Sequence, residues 1–497
     1  MKKTIRIISL LLCISLLLSS CVSKKDVDET TPDEDASNVE NITEAPNKMG
    51  DGRVVLPYNK TDGLNPYFAT SYENLYLSKL MYEPLYSTDS TYTATPVVAE
   101  TISVSDNIAT VRLRHGVSCR GSSEIIAEDV VYSFNMAKAS HGWSNSLKSV
   151  ISAQAVGQYA VEFNLEYKDI YVAGKLDFPI VKTGTADGQT SVPTGSGDYY
   201  YSEGKLINVL SNEKTIALSP IGTNESAENA MNIGETDVFF SDLSDCDYTS
   251  VAGTMNDVLL NNMVYLGLNS SRGALTNYIR NAVAAKLDSE KIVLSSYQGH
   301  GTAMKLPLNP ESDLAGQVIE IKTEGDVALA NDIIDRCGYT GYSGKAKTNG
   351  AYTLSLSLIV NKDNKYRVAA AYNIADSLNE CGFSVKVQAI SYAEYKQRIE
   401  SGNYDMYVAE IKLDSTMDIG DFFKEGSLLS AGIDTKSLVA TEYFRYRAGE
   451  ITPEEYYEIF VEYYPFVPVL FKKGYVATSD DVKLTLKQMP YSLYGGI

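Results

Sequence analysis
Between Leu354 and Ile411 the chain alternates strand and helix patterns twice in succession. Leu354, Leu356 and Leu358 are separated by serines, the period-two pattern of a strand with one buried face. Tyr366–Cys381 then places Val368, Ala371, Tyr372, Ala375 and Leu378 at helical spacing, and Gly382 stands where a helix C-cap favours positive φ. Val385 and Val387 begin a further strand, and a second crossover runs through Tyr392–Ser401 to Tyr404–Ile411. Strands joined by helices pack as parallel neighbours with helices over the sheet. The chain is therefore expected to be an α/β protein.

Other stretches show the same local logic. In Ala109–Lys138, Ala109, Val111 and Leu113 face one way and Thr110, Arg112 and Arg114 the other. A turn with Gly116 and Gly121 follows, and then a helix with Val130, Phe134 and Ala137 on one face. Glu128 and Asp129 occupy its first turn, where the helix dipole favours negative charge. Thr452-Pro453-Glu454-Glu455 is a capping-box start, with Pro at N1 and Glu at N3. Met263–Asn269 is a short apolar strand. Thirty-six tyrosines against one tryptophan would suit a wet ligand cavity, although packing within strands accounts for most of them.

The N-terminus is a targeting segment over residues 1–20. Lys2, Lys3 and Arg6 precede the apolar run Ile7–Leu18, which is shorter than the ~20 residues of a membrane span. Leu18-Ser19-Ser20-Cys21 resembles a bacterial lipobox, which implies cleavage before Cys21 and a lipid on that residue. Residues 21–50, rich in Asp, Glu, Thr, Asn and Pro without apolar periodicity, read as a disordered tether. What remains is long enough for two or three domains. The net charge is −20, and −23 once Lys2, Lys3 and Arg6 leave with the leader. So acidic a chain is expected to be a poor nucleic-acid binder, because phosphate contacts need an excess of lysine and arginine.

Six cysteines are present. Cys13 leaves with the leader and Cys21 is the lipid site. Cys119, Cys246, Cys337 and Cys381 form no CxxC, which argues against zinc. Their spacing does not distinguish the three possible pairings, and buried free thiols are the expected state. Catalytic patterns are also missing. His115, His141 and His300 make no HExxH, and no G-x-S-x-G elbow occurs. Gly338–Lys345 is one residue too long for a phosphate loop, and Ala346 replaces its Ser/Thr. No enzyme activity, metal or cofactor is expected.

The order of these segments resembles the bacterial extracellular solute-binding proteins of family 5, the peptide- and nickel-binding class that serves ABC importers. The family segment L-R-x-G-V…A-E-D-V stands here as Leu113, Arg114, Gly116, Val117, Ala127, Glu128, Asp129 and Val130, with Cys119 in place of its Phe and Gly121, Ser122 and Glu124 at its Asp-Gly and Pro. The L-N-P…Y-E-x-L segment is matched by Leu64, Asn65, Pro66, Tyr82, Glu83 and Leu85. Pro193–Tyr199 resembles P-x-G-T-G-P-Y with Asp198 for Pro, and Gly234–Val238 matches G-E-x-D. The family's Asn-x-Tyr-Trp-Gly is absent, so this lobe looks trimmed. Ile279–Ile292 resembles the family's V-R-Q-A helix, Gly299–Pro310 its Gly/Pro loop and Pro465–Phe471 a strand crossing between lobes. The resemblance covers nearly the whole chain after Gly50.

It implies a two-lobed periplasmic-binding-protein-like fold (type II, three-domain cluster C) with mixed sheets. Residues 51–88, 190–265 and 474–497 would form lobe I, 89–189 domain II and 266–473 lobe III, with crossover strands near Val264–Leu268 and Val467–Lys473. It implies a monomeric, lipid-anchored, extracytoplasmic protein at the cell membrane that closes by a hinge on an oligopeptide and delivers it to an ABC-transporter permease. The same scaffold could take a metal chelate or sugar, or act as a sensor without transport; an exported hydrolase is the outside reading. Peptide binders of the family hold the ligand ammonium with the Asp of G-W-x-x-D. Here Asp414 stands at that place, with Glu410-Ile411 for Gly-Trp. Thr70, Ser71 and Tyr72 follow the Leu-Asn-Pro turn where the family contacts ligand, and Phe471 would wall the cavity from the returning strand.

Overall fold
Three of the five sheets among the described residues carry the fold. The structure is a computed structural model that describes residues 54–480 except 122 and 245–249, together with 482 and 494. The leader, Cys21, the 21–50 segment, Cys246 and most of the chain after 480 lie outside the described residues. Cys119, Cys337 and Cys381 are free thiols.

The first sheet pairs Val55–Asn59 parallel to Thr215–Ile221, which continues antiparallel through Lys205–Asn208 to Tyr199–Ser202. The second is antiparallel, in the order Ala99–Ser105, Ile108–Leu113, Ala160–Leu165, Val150–Ala155. Its alternation is the one the sequence shows: Ala109, Val111 and Leu113 are buried and Arg112 is exposed. Helix Ala127–Ala139 lays Val130, Phe134 and Ala137 against it, and Phe134 meets Phe163 edge to face at 5.6 Å. Asp129 does more than complement the helix dipole. It accepts from Ile126 N at 3.0 Å, Lys182 Nζ at 2.8 Å and both donors of Thr183, tying the helix to a loop over fifty residues away. Burial opposes its charge, but these donors prevail and hold its carboxyl below the usual range.

The third sheet has the order Val238–Ser241, Phe466–Thr478, Thr254–Leu268, Met406–Lys412, Ser355–Asn361, Ser384–Ile390, with Gly301–Ala303 also paired to Phe466–Thr478. Ser355–Asn361 runs parallel to both Ser384–Ile390 and Met406–Lys412, with helices Lys365–Asn379 and Tyr392–Glu400 in the crossovers. The remaining pairings are antiparallel, so the fold is α/β with mixed sheets. The Thr452–Glu455 capping box forms: Thr452 N donates to Glu455 Oε2 at 2.7 Å, and Glu455 N to Thr452 Oγ1 at 3.2 Å.

Two of these strands are unusually long, Thr254–Leu268 and Phe466–Thr478. At one end Val258, Leu260 and Val476 join a core containing Leu56, Leu77 and Phe163. At the other Met263, Leu266, Val467 and Leu470 join a separate core with Leu358, Ile374 and Phe460. The strand pair thus links the two cores. Between the pairs Leu259–Lys473 and Met263–Phe471 the register breaks, and Leu260–Asn262 bulge from the ladder. Bulges bend and twist a strand locally, so the bend falls between the cores.

The family-like segments have local duties here. Asn65 is fully buried; its Nδ2 donates to Gly188 O at 2.9 Å and Ser191 Oγ at 2.8 Å. Asp237 accepts from Val55 N at 2.8 Å and Ser479 Oγ at 2.6 Å, pinning the first strand to the end of the last. Gly197 lies against the end of helix Tyr72–Met81, where a Cβ would meet Met81 C at 2.4 Å and Leu80 O at 2.6 Å. Gly197→Ala must displace that backbone and is expected to destabilise by ~1–3 kcal/mol. Gly222→Ala, with no atom within 4 Å of its Cβ, should stay within about 0.5 kcal/mol. Urea midpoints decide this; equal midpoints for the two variants would remove the close-approach argument.

Candidate functional site
Three neighbouring cavities of about 310, 320 and 280 Å³ share lining residues and together form a cleft beside the linked cores. The first lies between Asn145, Tyr167, Asp418 and Phe444. The second is walled by Tyr72, Tyr76, Trp143, Phe240 and Leu260. The third is polar, with Asn262, Arg367, Glu410 and Lys472. Strand Met406–Lys412 supplies the shared wall, and Lys412 at its end borders all three.

The bulge forms the cleft floor. Leu413 N donates to Asn261 O at 2.9 Å, and Asn261 Nδ2 to Asp414 O at 3.3 Å. Asn309, fully buried, donates to Asn261 Oδ1 at 2.8 Å, Leu260 O at 3.3 Å and Tyr92 OH at 2.8 Å. Backbone groups freed by the broken ladder thereby keep partners inside the protein.

Beside the cleft lies a buried charge network. Lys175 Nζ contacts Asp418 Oδ2, lies 3.4 Å from Asp169 and 3.7 Å from Asp414, and donates to Ser149 Oγ at 2.7 Å. Arg447 grips Asp169 with two bonds of 3.0 and 2.7 Å and donates to Thr416 O at 2.9 Å. Tyr443 OH donates to Asp418 Oδ1 at 2.6 Å, and Tyr167 OH to Asp418 Oδ2 at 2.5 Å. Burial opposes charge on both Lys175 and Asp418, but their mutual attraction outweighs it: the lysine pKa is raised and the Asp418 pKa lies well below the carboxylate range. Asp414 is the exception; burial raises its pKa despite Lys175. Ser149, Tyr167, Asp169 and Lys175 belong to the segment flanking the antiparallel sheet, and the other members to the larger lobe. The network therefore ties that segment to the larger lobe beside the first cavity.

The expected site residues fall in different places. Tyr72 lines the second cavity, edge-on to Phe240 at 5.5 Å, and its OH donates to Asp242 Oδ2 at 2.8 Å. Asp414 borders the first two cavities. One of its oxygens accepts from Thr416 N, Thr416 Oγ1 and Asp418 N; the other faces Lys175. The ammonium that the resemblance implies for Asp414 is thus met by Lys175 in this conformation. Thr70 and Ser71 turn to Asp62, with four bonds of 2.7–3.0 Å from their amides and hydroxyls. Burial works to raise the Asp62 pKa, and those bonds bring it below the usual value. Phe471 is fully buried in the larger core, paired with Met263 and Thr302. Tyr72 and Asp414 are therefore brought to one cleft; Thr70, Ser71 and Phe471 do not border its three cavities.

Sequence reasoning passed over Lys175, Arg447, Asp169 and Lys412. Lys175 is separated from Asp418, and Arg447 from Asp169, by well over two hundred residues, and isolated charges in so acidic a chain carry no signal. Lys412 sits two residues before Asp414, and only the geometry distinguishes it.

The family model for bacterial extracellular solute-binding proteins, family 5 (middle part), matches residues 93–424. The chain belongs to that family. Among proteins of curated function, none matches this sequence. Solved structures show the family 5 fold. NikA from Brucella suis, in complex with Fe(III)-EDTA, is 19% identical over 88% of this chain and 99% of its own, with a TM-score of 0.63. MppA, a periplasmic murein tripeptide-binding protein in its unliganded open form, is 16% identical over 89% and 96%, with a TM-score of 0.70. The oligopeptide-binding protein AppA from Bacillus subtilis, in complex with a nonapeptide, is 20% identical over 89% and 97%, with a TM-score of 0.56. Family 5 is a family of solute-binding proteins, consistent with a cleft between two linked cores.

Proposed function
We propose that this protein is the substrate-binding component of an ABC importer, anchored outside the cytoplasmic membrane by a lipid on Cys21, and that its solute is a short peptide. The single observation that carries the reading is the cleft between two cores joined by a bulged strand pair. Such a joint lets the lobes rotate about few residues, and a ligand that touches both walls shifts the population to the closed state. Delivery to a permease would follow from recognition of that state.

Cleft chemistry supports a peptide. The second cavity offers aromatic walls for side chains, and Asn145 and Asn262 bring amide groups, which carry both donors and acceptors like a peptide backbone. Cavities near 300 Å³ are at the lower end of ligand sites and favour a ligand of a few residues over a long chain. MppA and AppA are named for peptides, whereas NikA holds a chelate. A carboxylate-bearing chelate is therefore the second reading.

Native mass spectrometry of the full-length protein extracted gently from membranes is the test. Bound masses spaced by amino-acid residues, and a polypeptide mass starting at Cys21 plus lipid, are the expected result. A spectrum that stays adduct-free after addition of a tripeptide pool would overturn the peptide reading.

A further inference from the structure
Among the described residues, the cations bordering the cleft are matched with one exception. Lys79 pairs with Asp177 at 3.4 Å, Lys148 with Asp421 at 3.2 Å, and Lys424 with Glu166 at 2.7 Å. Lys472 and Arg367 share Glu410 at 3.2 and 3.8 Å. Lys412 differs. Among the described residues no carboxylate lies within 4.0 Å of its Nζ, and its ammonium stands over the Tyr72 ring, 5.4 Å from the centroid. Its side chain is open to the cleft rather than packed in the core.

The acids that attract Lys412 from a distance, Asp242 and Asp177, are committed elsewhere. Asp242 accepts from Tyr72 OH at 2.8 Å and Ser244 N at 2.9 Å, while Asp177 holds Lys79. Although the side chain is exposed to solvent, the surrounding cleft walls partly desolvate its ammonium and lower the Lys412 pKa against their attraction. Lys412 borders all three cavities, so a group bound in any of them can reach it. On the other side of the wall Asp414 is already faced by Lys175. The cleft therefore lacks an anion at Lys412 rather than a cation at Asp414.

We infer that Lys412 is the anion anchor of this cleft: it receives a carboxylate of the solute, with the adjoining part of the ligand stacked on Tyr72. The inference rests on the solute-binding reading, and the carboxylate can be a peptide C-terminus or one arm of a chelator. A charge-assisted bond is shorter and stronger than one between neutral groups, which is what gives this pairing its strength.

Calorimetric titration of the full-length protein tests it with trialanine, trialanine amide and nickel(II) citrate. The wild type should bind trialanine about tenfold to a hundredfold more tightly than its amide. Lys412→Met retains the aliphatic stem and should reduce that ratio to about one, chiefly by weakening the free acid. Nickel citrate binding that depends on Lys412, with no trialanine binding, keeps the anchor and removes the peptide reading. An acid-to-amide ratio that is unchanged in Lys412→Met, or binding of neither trialanine nor nickel citrate, overturns the anchor.

Discussion

Lys175→Met should destabilise the protein by ~3–5 kcal/mol, the usual effect of removing one partner from a buried ionic network. Lys175 is almost wholly buried and faces Asp169, Asp414 and Asp418. With Arg447 the five groups carry three negative and two positive charges, a net of −1; without Lys175 the net is −2. The deficit should depend on pH in a definite direction. Asp418 has its folded pKa below the ordinary carboxylate value of about 3.9, so its contribution is present above that value and lost only as pH falls through the folded pKa. Asp414 is raised, so the folded state takes up its proton first and stability rises as pH falls through that interval. Removing the ammonium takes away a charge that lowers both carboxyls, so Asp418 rises from its depressed value and Asp414 rises further. The variant's deficit should therefore be largest at neutral pH and shrink toward pH 5. Urea midpoints at pH 7.5 and 5.0 measure this. An equal deficit at both, or one below about 1 kcal/mol, would refute the account of the network.

Arg447→Met should cost about as much, for a different reason. Its guanidinium is fully buried, makes two bonds to Asp169, and stands 4.8 Å above the centroid of Tyr171. Planar two-point recognition of a carboxylate is specific to arginine, so Arg447→Lys should recover little of the loss. Asp169→Asn alone should also be severe, because it leaves the guanidinium without its counter-charge. The double variant Arg447→Met with Asp169→Asn should be milder than the sum by ~2 kcal/mol, since neither charge is then stranded. Additive losses in that cycle would show that the pair is not coupled across the cleft.

Both predictions concern residues that lack a signature in the sequence, and that contrast recurs along the chain. Ala109, Val111 and Leu113 declare a strand and its buried face, because alternation is a property of neighbours. Helix Lys365–Asn379, with Gly382 at φ +85° beyond it, agrees with its spacing and its stop signal. Met263–Asn269 reads as a strand of seven residues but belongs to the fifteen of Thr254–Leu268. Its first half, Thr254–Asn262, has no period-two pattern and only a three-residue apolar run, Val258–Leu260, between polar residues, so it does not read as a strand. Asp414 was legible as a candidate through its resemblance to a motif; its nearness to Lys175 was not. Thr70 and Ser71 were legible as polar groups after a turn, while their use by Asp62 depends on how that turn folds back.

By itself, then, the sequence determined the element types, the α/β class, several caps and turns, and the family to which the chain belongs. The element types, the class, the caps and the turns rest on periodicities and residue preferences that act over a few positions, and the family on the resemblance of motifs. The tertiary structure alone decided which charges meet. Lys175 finds Asp418 across 243 residues, and Arg447 finds Asp169 across 278. It also decided that Lys412, two residues from an acid whose charge is answered within the protein, stands in the cleft with no carboxylate beside it among the described residues. Electrostatic energy depends on distance in space and on shielding from water, and neither is written in the spacing of residues along a chain.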